Sequence, residues 1–238
     1  MTTHDAPAFR ALPNTDALTG LPSPAYILHE GQLRRNGEIL AKVAADTGCR
    51  VLLAQKAFSN FNLYPVLEPY LAGTEASGLY EARLGREEMP HGEVHVFCAA
   101  YREAEFPALL RYADHIVFNS PRQLQKFGPA AKAAGKSVGL RINPECSTQE
   151  GHAIYDPCAP GSRLGTTREQ WDERMTPEML SLLDGLHFHT LCEQDSDALE
   201  ITLLLEKHYG IRLANPAEAK PIFHSVATLA DYIRKNRK

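Results

Sequence analysis

The sequence predicts an α/β chain made of repeated βα units around a parallel sheet, closer to a (β/α) barrel than to an open nucleotide-binding sheet. Three observations carry this. Short apolar runs alternate with helix-patterned segments, which is the signature of parallel strands joined by helical crossovers. The unit recurs every ~20–25 residues, a spacing that suits a barrel. No Gly-x-Gly-x-x-Gly follows a strand candidate, and no Walker sequence is present.

The elements follow in order. Ala25-Tyr26-Ile27-Leu28 is a first strand candidate, set off by Pro22 and Pro24, which disfavour helix before it. Residues 32–46 carry apolar side chains at 33, 39, 40, 43 and 44, a helical face that stops near Gly48. Residues 50–55 read as a buried strand and 62–71 as a helix. Gly73-Thr74-Glu75-Ala76 is a short connector or strand, and 79–88 is helical. Strand 94–97, helix 103–112 and strand 116–118 come next. Ser120-Pro121 then opens a helix with a capping hydroxyl and a proline at its first turn. That helix runs to Ala134 and stops at Gly135, and 137–142 is the next strand. Residues 143–176 break the rhythm with a long loop rich in Pro, Gly, Cys and Ser, a length that usually marks function. Helix 177–183, strand 185–189 and a last helix at 197–209 complete the reading.

The composition excludes several classes. The 238 residues are 44% hydrophobic and 23% charged, ordinary for a globular chain with a sizeable core. A formal net charge of −4 gives no electrostatic reason to expect nucleic acid. No run of apolar residues is long enough to span a membrane. Residues 1–14 are polar and do not read as a secretory signal. Five cysteines, odd in number and without close pairs, favour a reducing, cytoplasmic setting over a disulfide framework or a zinc site.

Three strand ends carry candidate chemistry. Lys56 follows the 50–55 strand, where barrel active sites are built; it is either a Schiff-base amine or a solvated residue that ends a strand. Arg141 closes strand 137–142, suited to a carboxylate, phosphate or phenolate, or equally to a structural ion pair. His187 and His189 lie on one face of a strand, two residues apart. They suit a metal with Glu193, stacking on a planar ring, or plain burial against a backbone carbonyl. Ser162-Arg163-Leu164-Gly165 would order the long loop against them. A lysine, an arginine and a histidine at three strand ends are what a pyridoxal phosphate site needs.

The segments that carry a resemblance are Ala54-Gln55-Lys56-Ala57-Phe58, Glu75-Ala76-Ser77-Gly78-Leu79-Tyr80-Glu81-Ala82-Arg83-Leu84-Gly85, Arg141-Ile142-Asn143-Pro144-Glu145, Ser162-Arg163-Leu164-Gly165 and Leu186-His187-Phe188-His189-Thr190-Leu191-Cys192-Glu193. From about residue 22 to about residue 200 the chain resembles the carboxynorspermidine decarboxylases, of the alanine racemase-like family of pyridoxal phosphate enzymes. The Leu191-Cys192 pair, where the wider family has Gly-Ser, is the most specific part. The resemblance implies that Lys56 holds pyridoxal 5'-phosphate as a Schiff base. It also implies that His189 stacks on the pyridine ring, Arg141 lies near the phenolic oxygen and Cys192 lies near the phosphate. The implied reaction is decarboxylation of carboxynorspermidine or carboxyspermidine to norspermidine or spermidine in polyamine biosynthesis. A catalytically inactive fragment, or a decarboxylase of another amino acid such as diaminopimelate, is the alternative. The family also implies a homodimer.

Beyond residue 200 the resemblance ends. The family's glycine-rich phosphate loop, last barrel strands and C-terminal β-domain find no counterpart, so an incomplete (β/α) barrel of about six strands is expected. The expected organisation is a flexible segment at 1–21, a partial barrel at 22–194 and a helical tail at 195–238. That tail, from Asp195 through Ile233, resembles the second half of an acyl carrier protein, with Ser196 the nearest match to the phosphopantetheine-bearing serine. A surface serine capping a helix is the plainer reading of Ser196.

Overall fold

The computed structural model describes residues 19–145, apart from Ser23, and 156–189. Six strands form one sheet: β1 (Leu52–Ala54), β2 (Gly73–Ala76), β3 (Glu93–Phe97), β4 (His115–Phe118), β5 (Ser137–Arg141) and β6 (Gly185–His187). Every pairing is parallel, and the spatial order is β1-β2-β3-β4-β5-β6. A doubly wound sheet reverses its order at a switch point; a sheet that advances one strand at a time is the half-built wall of a barrel. The helices are α1 (Glu30–Thr47), α2 (Tyr64–Leu67), α3 (Leu79–Glu88), α4 (Phe106–Tyr112), α5 (Pro121–Ala133), α6 (Arg168–Arg174) and α7 (Pro177–Ser181).

Alternation along the strands fixes the two faces. In β3 the side chains of Val94 and Val96 are buried, while Glu93, His95 and Phe97 are half-buried on the other face. Ile116 and Phe118 of β4 and Val138 and Leu140 of β5 continue the buried set. Against them α4 and α5 bring Phe106, Leu109, Leu124, Phe127 and Ala131, so the core lies between sheet and helices. Each such side chain contributes roughly 1.5–3 kcal/mol by leaving water. The opposite, concave face is the one that carries polar groups. Its curvature shows in contacts that skip strands: the Phe97 ring of β3 meets His187 of β6 edge-on at 5.2 Å and lies 4.7 Å from the Arg141 guanidinium of β5.

Local sequence chemistry sets the element ends. Ser120 caps α5 by accepting from Gln123 N–H, with Pro121 in the first turn. Thr167 and Gln170 form a reciprocal capping box on α6. Two aspartates at the N-terminal rim use one device twice. Asp114, just before β4, accepts from Val94 N–H at 2.9 Å and pairs with Arg86 of α3. Asp184, just before β6, accepts from Val138 N–H at 2.8 Å and pairs with Lys132 of α5 at 2.8 Å. Each carboxylate thereby ties a helix to the start of two strands.

Several expectations change. The 25–28 segment forms no strand: Tyr26, Ile27 and Leu28 are exposed and outside the sheet. An apolar run becomes a strand only where a neighbour supplies ladder partners, and this one has none among the described residues. Of the two readings of 73–76, connector or strand, the strand is the one formed. Helix 62–71 contracts to a 3-10 turn, Phe61–Leu63, followed by α2. The long loop contains α6, which its composition masked. The helix expected at 197–209 lies outside the described residues.

Candidate active site

The three strand-end candidates open onto one cleft of about 1100 Å³ on the concave face, at the C-terminal ends of the strands. Lys56, Arg141 and His189 all line it, together with Glu75, Phe97, Arg163 and His187. Cys192, Glu193 and Ser196 lie outside the described residues.

Lys56 sits in the turn directly after β1 and is exposed. Its predecessor holds the turn in place. Gln55 is fully buried, with its backbone N–H donating to Glu75 O at 3.2 Å and its side-chain amide donating to Glu81 O at 2.9 Å. Tyr64 of α2 donates its hydroxyl to the Gln55 Oε1 at 3.3 Å. These bonds anchor Gln55 away from the cleft, while the next residue of the turn, Lys56, lines it. Glu75 follows on β2 in register with Ala54. Burial pushes its carboxyl above the usual range, with the positive charge of Lys56 pulling the other way.

Arg141 is 6% exposed at the end of β5, paired in register with His187. It makes no salt bridge to a carboxylate among the described residues, and burial lowers its affinity for its proton. A buried guanidinium that faces the cleft with no carboxylate paired to it among the described residues is set to receive an anion from outside the chain. Its aromatic neighbour Phe97 supports the planar cation from the side. The structural ion pair that sequence left open for Arg141 is therefore not formed here.

Both imidazoles are held neutral at pH 7. Burial, then Arg141 and His189, push His187 down to about 4. Burial, then Arg141 and Lys56, push His189 down as well. The Nδ1 atom of His187 is buried and has no hydrogen-bond partner among the described residues. Flat, neutral and beside cationic groups, these rings suit stacking on an aromatic ring better than charge pairing.

The Ser162–Gly165 motif closes one side of the cleft, and Asn119 holds it. Asn119 donates from its amide to Arg163 O at 3.0 Å and accepts from Gly165 N–H at 2.8 Å. Gly165 adopts φ 83°, and a Cβ there would stand 2.8 Å from Asn143 N, so only glycine fits. Thr166 then pairs with the chain beyond β5, donating to Arg141 O and accepting from Asn143 N–H, both at 2.8 Å. Sequence reading assigned no role to Glu75, Phe97 or Asn119. The first two were recoverable from alternation along β2 and β3. Asn119 was marked only by being polar at a strand end.

No family model matches the chain. Among curated proteins it is 40% identical over 187 residues to a carboxynorspermidine/carboxyspermidine decarboxylase of Campylobacter jejuni, covering 79% of this chain and 47% of that one. It is equally 40% identical over 194 residues to a carboxyaminopropylagmatine decarboxylase of Synechocystis, covering 81% of this chain and 49% of that one. Among solved structures, the norspermidine complex of carboxynorspermidine decarboxylase from Campylobacter jejuni matches with a TM-score of 0.65 and 37% identity over 80% of this chain and 47% of that one. Diaminopimelate decarboxylase from Helicobacter pylori shares the fold at a TM-score of 0.64 and 17% identity, over 81% of this chain and 50% of that one. The acyl carrier resemblance finds no support in these matches, and its residues lie outside the described ones. The chain spans about half the length of the curated relatives it matches, and over that half it is similar to the carboxynorspermidine/carboxyspermidine decarboxylases.

Proposed function

We propose that this chain carries the lysine-bearing part of a pyridoxal 5'-phosphate site that decarboxylates a carboxylated polyamine. The observation that carries the reading is the convergence on one cleft of Lys56, a buried Arg141 with no ion pair among the described residues, and two imidazoles that burial favours as neutral, in a chain similar to such decarboxylases. The described residues fit the cofactor. Lys56 would hold it covalently, His189 would offer a ring face, and Arg141 would receive an anionic oxygen. Cys192 is assigned to the phosphate by the resemblance alone. When bound, the cofactor supplies an electron sink for the bond that loses CO2.

The chain's own groups do the rest. Arg141 fixes one anionic atom in a partly dry cleft, where a charge-assisted hydrogen bond is strongest. Glu75 shares the cleft with Lys56, and burial shifts its carboxyl toward the protonated form. His187 and Phe97 keep Arg141 in place and exclude water from beside it. The substrate class follows from the curated relatives, whose names share a carboxylated polyamine; carboxynorspermidine and carboxyspermidine are the first candidates. A homodimer is part of the same reading.

The test is covalent and does not depend on turnover. Pyridoxal phosphate is added to the purified chain, the adduct is reduced with borohydride, and peptides are mapped by mass spectrometry. The label is expected on Lys56 and absent from Lys56→Ala. A label spread over surface lysines sinks the cofactor site. A label on Lys56 without CO2 release from carboxynorspermidine keeps the site and removes the decarboxylase activity from this chain.

A further inference from the structure

Below the cleft, toward the N-terminal ends of the strands, the concave face gathers a second set of polar side chains. The parallel register sets His95 of β3 directly opposite His115 of β4. Both project from the same face, and their rings stack with centroids 3.9 Å apart at 15°. Glu93 lies two residues before His95 on the same strand and so on the same face. One of its carboxylate oxygens is 3.1 Å from His95 Nε2, and the other is 3.8 Å from His115 Nε2. One donor atom from each of the three residues lies within 4.8 Å of the others. Of the three, His95 also lines the cleft, whereas Glu93 and His115 do not.

We propose that Glu93, His95 and His115 form a site for one divalent transition-metal ion of the zinc class, bound by two imidazoles and one carboxylate. The donor chemistry selects the ion. Imidazole nitrogens with a single carboxylate favour zinc and its neighbours over magnesium or calcium, which take oxygen donors. Tetrahedral zinc with bonds of ~2.0–2.2 Å sets its donors about 3.3–3.5 Å apart. The 3.1 and 3.8 Å spacings bracket that value, so the carboxylate and the two rings need small movements.

The competing interaction is weak. Arg50 donates to Glu93 at 2.9 Å, but its side chain is 63% exposed and can turn into solvent at little cost. No net proton change is required of a neutral imidazole: a proton on Nε2 moves to Nδ1 when the metal takes Nε2. With three protein donors, water completes the coordination. The ion ties β3 to β4 on the concave face, beside the lysine cleft that His95 also lines. The inference rests on the fold and holds whether or not the cleft binds pyridoxal phosphate.

Zinc binding by the chelator-stripped full chain, measured by calorimetry, tests the proposal. One Zn2+ per chain is expected, with binding weakened at least about tenfold in His95→Ala, His115→Ala and Glu93→Gln, and unchanged in His29→Ala and His91→Ala. Zinc should also raise the Tm of the parent chain by several degrees and leave that of Glu93→Gln unmoved. Glu93→Gln keeps the volume of the side chain, so it reports on ligation even if a histidine variant fails to fold. Substituted Co2+ should show the weak visible bands of nitrogen and oxygen ligation. Affinity unaffected by all three variants, an intense cobalt–thiolate band, or no stoichiometric binding by the parent chain overturns the site.

Discussion

The inner strands β2–β5 and the flanking strands β1 and β6 obey the same pairing rules, yet they live in different surroundings. Val96, Phe118 and Leu140 of the inner strands are no more than 1% exposed. Leu186 of β6 is 55% exposed, and Ile39 of α1, next to β1, is 63% exposed. An inner strand has a ladder on both sides and a helix against one face. A flanking strand has one ladder and, among the described residues, little cover. The contrast teaches that stability and chemistry are unevenly divided in this molecule. The inner strands supply the packing, while Lys56 and His189 stand at the ends of the two flanks.

That division can be broken at four points, in falling order of effect. Gly73 begins β2 with φ 152°, and a Cβ there would overlap the backbone of Glu93. Gly73→Val should therefore cost more than about 4 kcal/mol, and the far-UV CD spectrum should show loss of fold. Phe118→Ala empties a fully buried site and should cost about 3–5 kcal/mol in urea unfolding. A loss under 1 kcal/mol would mean that the inner core is not the stabilising unit.

The third point concerns pH. His187 sits on a flank but faces inward, and its pKa falls from 6.5 to about 4 in the folded chain. The unfolded chain then binds the proton more readily, so stability is full above pH 6.5 and declines as pH falls toward 4. His95 and His189 act in the same direction. Replacing His187 by Phe should flatten the unfolding-versus-pH curve in that window by roughly 2 kcal/mol. An unchanged slope would place His187 in water. Last, Leu186→Ala on the exposed face of β6 should stay within about 0.5 kcal/mol of the parent. A larger loss would show that the flank is covered after all.

Much of this was legible in the sequence, for identifiable reasons. Helix α3 matches its expected span from Leu79 to Glu88, because an apolar period runs through it and Gly78 marks its start. Strands β3, β4 and β5 were readable because inner strands alternate buried and half-buried residues over a core. The 25–28 run misled because apolar pattern does not report whether a partner strand exists. Helix α6 was hidden in Arg168–Arg174, a mostly charged segment whose capping box announces a helix only to a reader looking for Thr-x-x-Gln. Lys56, Arg141 and His189, singled out in the sequence at strand ends, line one cleft. The grip of Asn119 on Arg163 and Gly165 joins residues 44 and 46 positions apart, beyond any local pattern.

The uninterrupted strand order has a consequence for how the molecule is made. Every neighbouring pair in the sheet is also consecutive along the chain. No strand waits for a distant one, so loop closure is never longer than a single crossover, and contact order stays low for a parallel sheet. A chain leaving the ribosome can dock each new strand on the one before it, at ~5–20 residues per second of synthesis. The growing sheet then has one open, freshly made edge at any moment, and that edge is the natural point of engagement for a chaperone.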